Sequence, residues 1–145
     1  MVTEKAKIWL KNNYESNKGS AETISVSGNT ELEEELVIDG YPNLKYIFLD
    51  GTKKITELKI DNCPNVEVVS VSDNQITKIE GLDKLTKLKR LSFGSNQIKE
   101  IDISKNTELE ILVFFKSPRG LKFLNGIKNL SKLIFVNSDD ITLLK

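Results

Sequence analysis

The side chains that usually carry protein chemistry are scarce and isolated in this sequence. There is no histidine among the 145 residues, which removes Ser–His and Cys–His nucleophile pairs, imidazole acid–base work and His-ligated zinc. The one cysteine, Cys63, stands directly before Pro64 at a tight corner. It reads as a small buried filler, and it has no second cysteine to bridge to. Asp139 and Asp140 are adjacent, and adjacent side chains on a strand point apart, so they read as a solvated terminus. No glycine-rich phosphate loop, nucleophile elbow or C-x-x-C is present, and neither cofactor nor metal is expected. The chemistry the spacing does support is that of the primary amide. Asn74 and Asn96 lie 22 residues apart in matching surroundings, and Asn29 heads the first trace of the same pattern. An amide donates and accepts at once, so it can tie together backbone groups at a chain corner.

The segments around these asparagines tell what positions them. Val66 to Leu88 changes period part-way: Val69-Ser70-Val71 alternates like a short strand, and Ile76, Ile79, Leu82, Leu85 and Leu88 then step every third residue. One strand followed by one compact return makes a coil, and stacked coils make a solenoid. The beat continues on both sides. Leu44 to Val66 and Val66 to Leu88 are each 22 residues, Leu88 to Leu109 is 21 and Leu109 to Leu133 is 24. Five to six coils are expected over residues 20–145, as one folding unit. In the second and fifth coils Thr52 and Ser117 take the asparagine place. A hydroxyl lacks the two-ended amide, and bulged corners are expected at Thr52-Lys53-Lys54 and Ser117-Pro118-Arg119-Gly120. Residues 1–19 are expected to form a helix and linker: Thr3 can cap it, Ala6, Trp9, Leu10 and Tyr14 make its apolar face, and it should fail near Asn12-Asn13. Too short to stand alone, it should cap the open end of the first coil.

Lys plus Arg and Asp plus Glu both number 21, so net charge is zero. This argues against nucleic acid and anionic membranes as partners. The apolar patch Ile8-Trp9-Leu10 is too brief for a signal core or a membrane span, and a single cysteine fits a reducing, cytoplasmic compartment.

The motif L88-x-x-L91-x-F93-x-x-N96-x-I98 and its repeats resemble the leucine-rich-repeat family, the third coil being similar to its 22-residue class. The stretches IWLKNNY, LEEELVIDGYPNLKYI and ITELKIDNCPNVEVV are similar to leucine-rich-repeat segments of fungal multidomain proteins, some with kinase domains. The resemblance implies an α/β solenoid. It would be a curved right-handed coil with a concave parallel β-sheet, an irregular or 3₁₀ convex side and an N-terminal capping helix. It implies a non-catalytic module that binds a protein or peptide on the concave face.

Strand alternation places Ser25, Tyr46, Phe48, Val68, Ser70, Arg90, Ser92, Ile111, Val113, Phe135 and Asn137 on that face, with Phe115 at the end of the fifth strand. Tyr46, Phe48 and Val68 form one apolar shoulder, and Ile111, Val113, Phe115 and Phe135 the other. Apolar patches of this kind mark contact surfaces. The plain alternative is that β-branched and aromatic residues suit strands. Asp50, Asp73, Lys89, Lys116 and Arg119 belong to the rim. The rival function is structural: Leu143-Leu144-Lys145 offers no cap, and an uncapped coil can pair with another copy or continue within a larger multidomain protein.

Overall fold

A computed structural model describes residues 4–26, 32–125 and 134–136, with Glu4 and 134–136 described by their backbone alone. Helix α1 (Glu4–Tyr14) opens the chain and ends in a 3₁₀ turn, Glu15–Asn17. Ala6 and Leu10 are buried, Trp9 and Tyr14 pack against the core, and Ile8 is left exposed. The helix ends at Tyr14, directly after Asn12-Asn13, where its failure is expected. The Asn13 amide donates to the Trp9 carbonyl at 2.8 Å, one turn back. Thr3, the expected cap, lies outside the described residues.

The rest is a stack of coils. Each contributes one short strand to a six-stranded parallel sheet made of β1 (Thr23–Ser25), β3 (Tyr46–Phe48), β5 (Val68–Ser70), β7 (Arg90–Ser92), β9 (Ile111–Val113) and β11 (Ile134–Val136), side by side in that order. Thr23, Tyr46, Val68, Arg90, Ile111 and Ile134 are register partners across it, so successive coils span 23, 22, 22, 21 and 23 residues. The middle residue of each of the first five strands of this sheet points inward. Ile24, Ile47, Val69, Leu91 and Leu112 form a buried row, flanked by the rows Leu44, Val66, Leu88, Leu109 and Leu49, Val71, Phe93, Phe114. Each fully buried side chain of this size contributes roughly 1.5–3 kcal/mol. Phe93 and Phe114 stack with ring centres 6.1 Å apart.

The returns are more ordered than the sequence reading held. The second side of the solenoid carries β2 (Glu34–Asp39), β4 (Ile55–Asp61) and β6 (Lys78–Glu80) in one parallel sheet, and β8 (Glu100–Asp102) and β10 (Lys122–Leu124) in another. The cause is visible in Leu36-Val37-Ile38 and Leu58-Lys59-Ile60: period-two alternation, with the outer members of each triplet buried. Among the described residues of the returns, a 3₁₀ turn occurs in the third, at Leu82–Lys84. It starts from Gly81, whose φ is 95° and where a Cβ would overlap the Ile60 carbonyl oxygen, so no other residue fits that turn.

The four described corners after the main strands share one conformation. Gly51, Asp73, Ser95 and Lys116 all have φ between 53° and 76°, each just before Thr52, Asn74, Asn96 or Ser117. Inside the expected Thr52-Lys53-Lys54 corner, Lys53 adds a second positive φ, 69°, and the second coil is irregular again further on. Glu34 pairs with Ile55 and Glu35 with Glu57, leaving Thr56 as the bulged residue. The backbone register differs from the expected one in the sixth strand. Phe135 is the register partner of Leu112, and Ile134 and Val136 are those of Ile111 and Val113. Counting from Leu133 puts the sixth strand one residue late.

Candidate functional site

The outward residues of the main sheet and the residues two positions further on form a grid. Tyr46, Phe48 and Asp50 make its first column. Val68, Ser70 and Ser72 make the second, Arg90, Ser92 and Gly94 the third, and Ile111, Val113 and Phe115 the fourth. On the same face Ser25, in β1, is exposed.

The middle of this grid is a floor of small residues. Ser70, Ser72, Ser92 and Gly94 are buried beneath larger neighbours. On one side stand Tyr46 and Phe48, exposed to 37 % and 39 %, with their rings parallel within 10° and centres 6.2 Å apart. On the other side Phe115 leans over the floor. A Cβ at Gly94 would come within 2.8 and 2.9 Å of the Phe115 ring, so the glycine is what lets that ring lie down. Val113 is only 8 % exposed; it backs the wall rather than presenting a surface. Val68 and Ile111 are half-buried and Arg90 is exposed. The side chain of Phe135 lies outside the described residues, as does Asn137.

Polar bonds fix the floor. The Ser70 hydroxyl lies 2.9 and 2.7 Å from the two Asp50 carboxylate oxygens, and the Ser72 amide donates to Asp50 Oδ1 at 2.7 Å. The Ser72 and Ser92 hydroxyls are 2.9 Å apart. Along the edge where the strands begin runs a column of alternating charge, Glu22, Lys45, Glu67 and Lys89, which neutralises itself: Lys45 pairs with Glu22 at 3.2 Å and Lys89 with Glu67 at 3.1 Å. Those hydrogen bonds raise both ammonium groups above their ordinary pKa. Asp73, Lys116 and Arg119 are exposed around the far rim.

Beneath the face lies the asparagine column. The Asn96 amide donates to the carbonyls of Val71, Phe93 and Gly94 at 2.9, 3.0 and 3.1 Å, and its oxygen accepts from the Ile76 amide at 2.8 Å. Asn74 donates to Leu49, Val71 and Ser72 at 2.9, 3.2 and 3.2 Å, and its oxygen accepts from the Thr52 hydroxyl. Asn29 lies outside the described residues. A further asparagine, Asn106, lies outside that column. It is fully buried and donates to Leu82 and Leu85 at 2.8 and 2.9 Å. The sequence signal was there: an asparagine between the return's last isoleucine, Ile103, and the next coil's Leu109.

Among the described residues no group of three or more carboxylates and thiols is placed to hold a metal ion, and no helix is long and apolar enough to cross a membrane. Cys63 is buried, its thiol sits 3.1 Å from the Asp61 carbonyl, and burial pushes its pKa up. These are the marks of an unreactive thiol. A cleft of about 800 Å³ also opens on the opposite side between β6 and β8, lined by Gln97, Lys99, Leu124 and others.

Residues 64–106 match the family model described as leucine-rich repeats, in two copies, which covers the third coil and most of the fourth. Among curated proteins, none matches the chain significantly.

Proposed function

We propose that this chain, a leucine-rich-repeat solenoid, is a non-catalytic module that binds a protein or peptide segment on the outer face of its six-stranded sheet. Such solenoids are typically protein-binding modules. The observation that carries the reading here is the stacked Tyr46–Phe48 pair, held exposed and facing Phe115 across a floor of small, hydrogen-bonded side chains. An exposed aromatic pair beside a trough costs solubility and gains contact area, and aromatic residues are enriched in interface cores. The neutral overall charge fits a protein partner better than a nucleic acid. The expected setting is intracellular. Self-assembly through the last coil rests on residues 137–145, outside the described ones, and nothing on the described surface favours it.

The test is capture from source-cell lysate with wild-type chain and with Phe48→Asp and Tyr46→Asp. Both side chains are outside the core, so circular dichroism melts should match the wild type, and the captured partner should be lost. Equal capture by folded variants would defeat the reading. Val113→Asp is unsuitable, because Val113 is buried and a charge there would unfold the coil.

A further inference from the structure

We propose that the partner engages this face through a basic side chain, arginine or lysine, whose cationic head pairs with Asp50 while its stem lies against the Tyr46–Phe48 rings. The inference rests on the outer-face reading above and adds the chemistry of the residue recognised.

Three observations carry it. Tyr46, Phe48 and Asp50 alternate along one strand and its continuation, so they share a face. Near-parallel rings followed by a carboxylate offer two successive attractions to a cation: the negative ring faces and then a full negative charge. Next, the carboxylate is held in place. Ser70 and Ser72 of the adjacent coil hold it at 2.7–2.9 Å, and such preorganisation lowers the ordering cost of a bound ion pair. Finally, Asp50 has no ion pair among the described residues, whereas Lys45 and Lys89, at the edge where the strands begin, are paired with Glu22 and Glu67. An apolar side chain laid on the rings would strip water from Asp50 without replacing it, and an acidic one would be repelled. A guanidinium fits best, since it can stack on a ring and bond a carboxylate with two parallel N–H groups.

The experiment selects random linear peptides displayed on phage against the folded chain, discarding those that also bind Phe48→Asp. Arginine or lysine should recur at one position of the retained peptides. Replacing that residue by citrulline or acetyl-lysine should weaken binding of the synthetic peptide about tenfold or more. Asp50→Asn keeps an oxygen for the Ser72 amide and removes the charge. It should cost a similar factor for the basic peptide and nothing further for the neutral one, as a coupled pair requires. Phe48-dependent peptides without a recurring basic residue, or with unchanged affinity for Asp50→Asn, overturn the inference and leave the outer-face reading standing. A selection that yields no Phe48-dependent peptide overturns both.

Discussion

Tyr41 shows how much a single buried group can cost. Its side chain is 1 % exposed, its ring lies 5.2 Å from the Lys18 ammonium, and its hydroxyl has no hydrogen-bond partner. Burial, with a smaller push from the Glu15 charge, raises the phenol from 10.0 to about 12. Tyr41→Phe removes an unsatisfied polar atom while keeping the ring, and is expected to stabilise the fold by roughly 1 kcal/mol in urea melts near neutral pH. The pH dependence has a definite sign. Between the unfolded value near 10 and the folded value near 12 the unfolded chain binds fewer protons than the folded one, so stability falls as pH rises through that window. The variant lacks that part of the loss, and the gap in its favour should widen in alkali. A variant weaker than wild type at neutral pH would mean that the hydroxyl is satisfied. Some of this scale could be read in the sequence and some could not. Asn74 and Asn96 repeat in fixed surroundings, so their column was legible. Asp50 was placed only on the rim, because the serines that orient it come from the next coil, 20 and 22 residues away. Gly94 showed nothing of the Phe115 ring above it, because a glycine in a strand pattern does not reveal which neighbour needs the room.

At the scale of elements, the main strands were legible because an inward leucine or valine at nearly constant spacing can satisfy one stacked register only. The sixth strand slipped by one residue where Leu133 and Ile134 offered two aliphatic starting points. The strands of the returns were missed for another reason: triplets such as Leu36-Val37-Ile38 are too short for periodicity alone to separate strand from coil. Helix α1 was expected to cap the first coil through apolar contact. The structure adds a polar device. The Tyr14 hydroxyl accepts from the Ser25 amide at 3.0 Å and donates to the Ser25 carbonyl at 3.1 Å. An edge strand exposes unpaired backbone groups, and here one hydroxyl occupies both groups of the same residue. Tyr14→Phe keeps the edge-on contact with Trp9 and removes that cover. Amide hydrogen exchange at Ser25 should then speed up about fivefold, the effect of losing one hydrogen bond of about 1 kcal/mol. Unchanged exchange would show that the hydroxyl is not what protects the edge.

Across the whole molecule, charge neutrality conceals an ordered arrangement. Several ion pairs join different segments of the stack: Lys5 and Lys54 to Glu33, Lys45 to Glu22, Lys84 to Asp61 and Lys89 to Glu67. Exposed pairs are individually weak, and together they make the stack sensitive to acid. The Lys84 hydrogen bond lowers the Asp61 carboxyl, the Lys78 hydrogen bond lowers Glu80, and the Ser104 hydroxyl, with help from Asn125, lowers Asp102. Glu33 is pushed up by burial and drawn further down by the hydrogen bonds from Lys54 and Lys5. A carboxyl whose folded pKa lies below its unfolded one stabilises the fold above the unfolded value, and that contribution disappears as pH falls through the folded value. With ordinary values of 3.8 for Asp and 4.5 for Glu, the melting temperature should stay level from neutral pH to about pH 5 and drop below it. Salt separates the contributions. At about 0.5 M NaCl the lysine pairs are screened, while the Asp102 carboxylate keeps its neutral donors. Part of the acid drop should therefore survive in high salt, and Ser104→Ala should shrink what survives. A melting temperature that rises on acidification, or an acid drop in high salt untouched by Ser104→Ala, would contradict this account of what joins the coils at their surface.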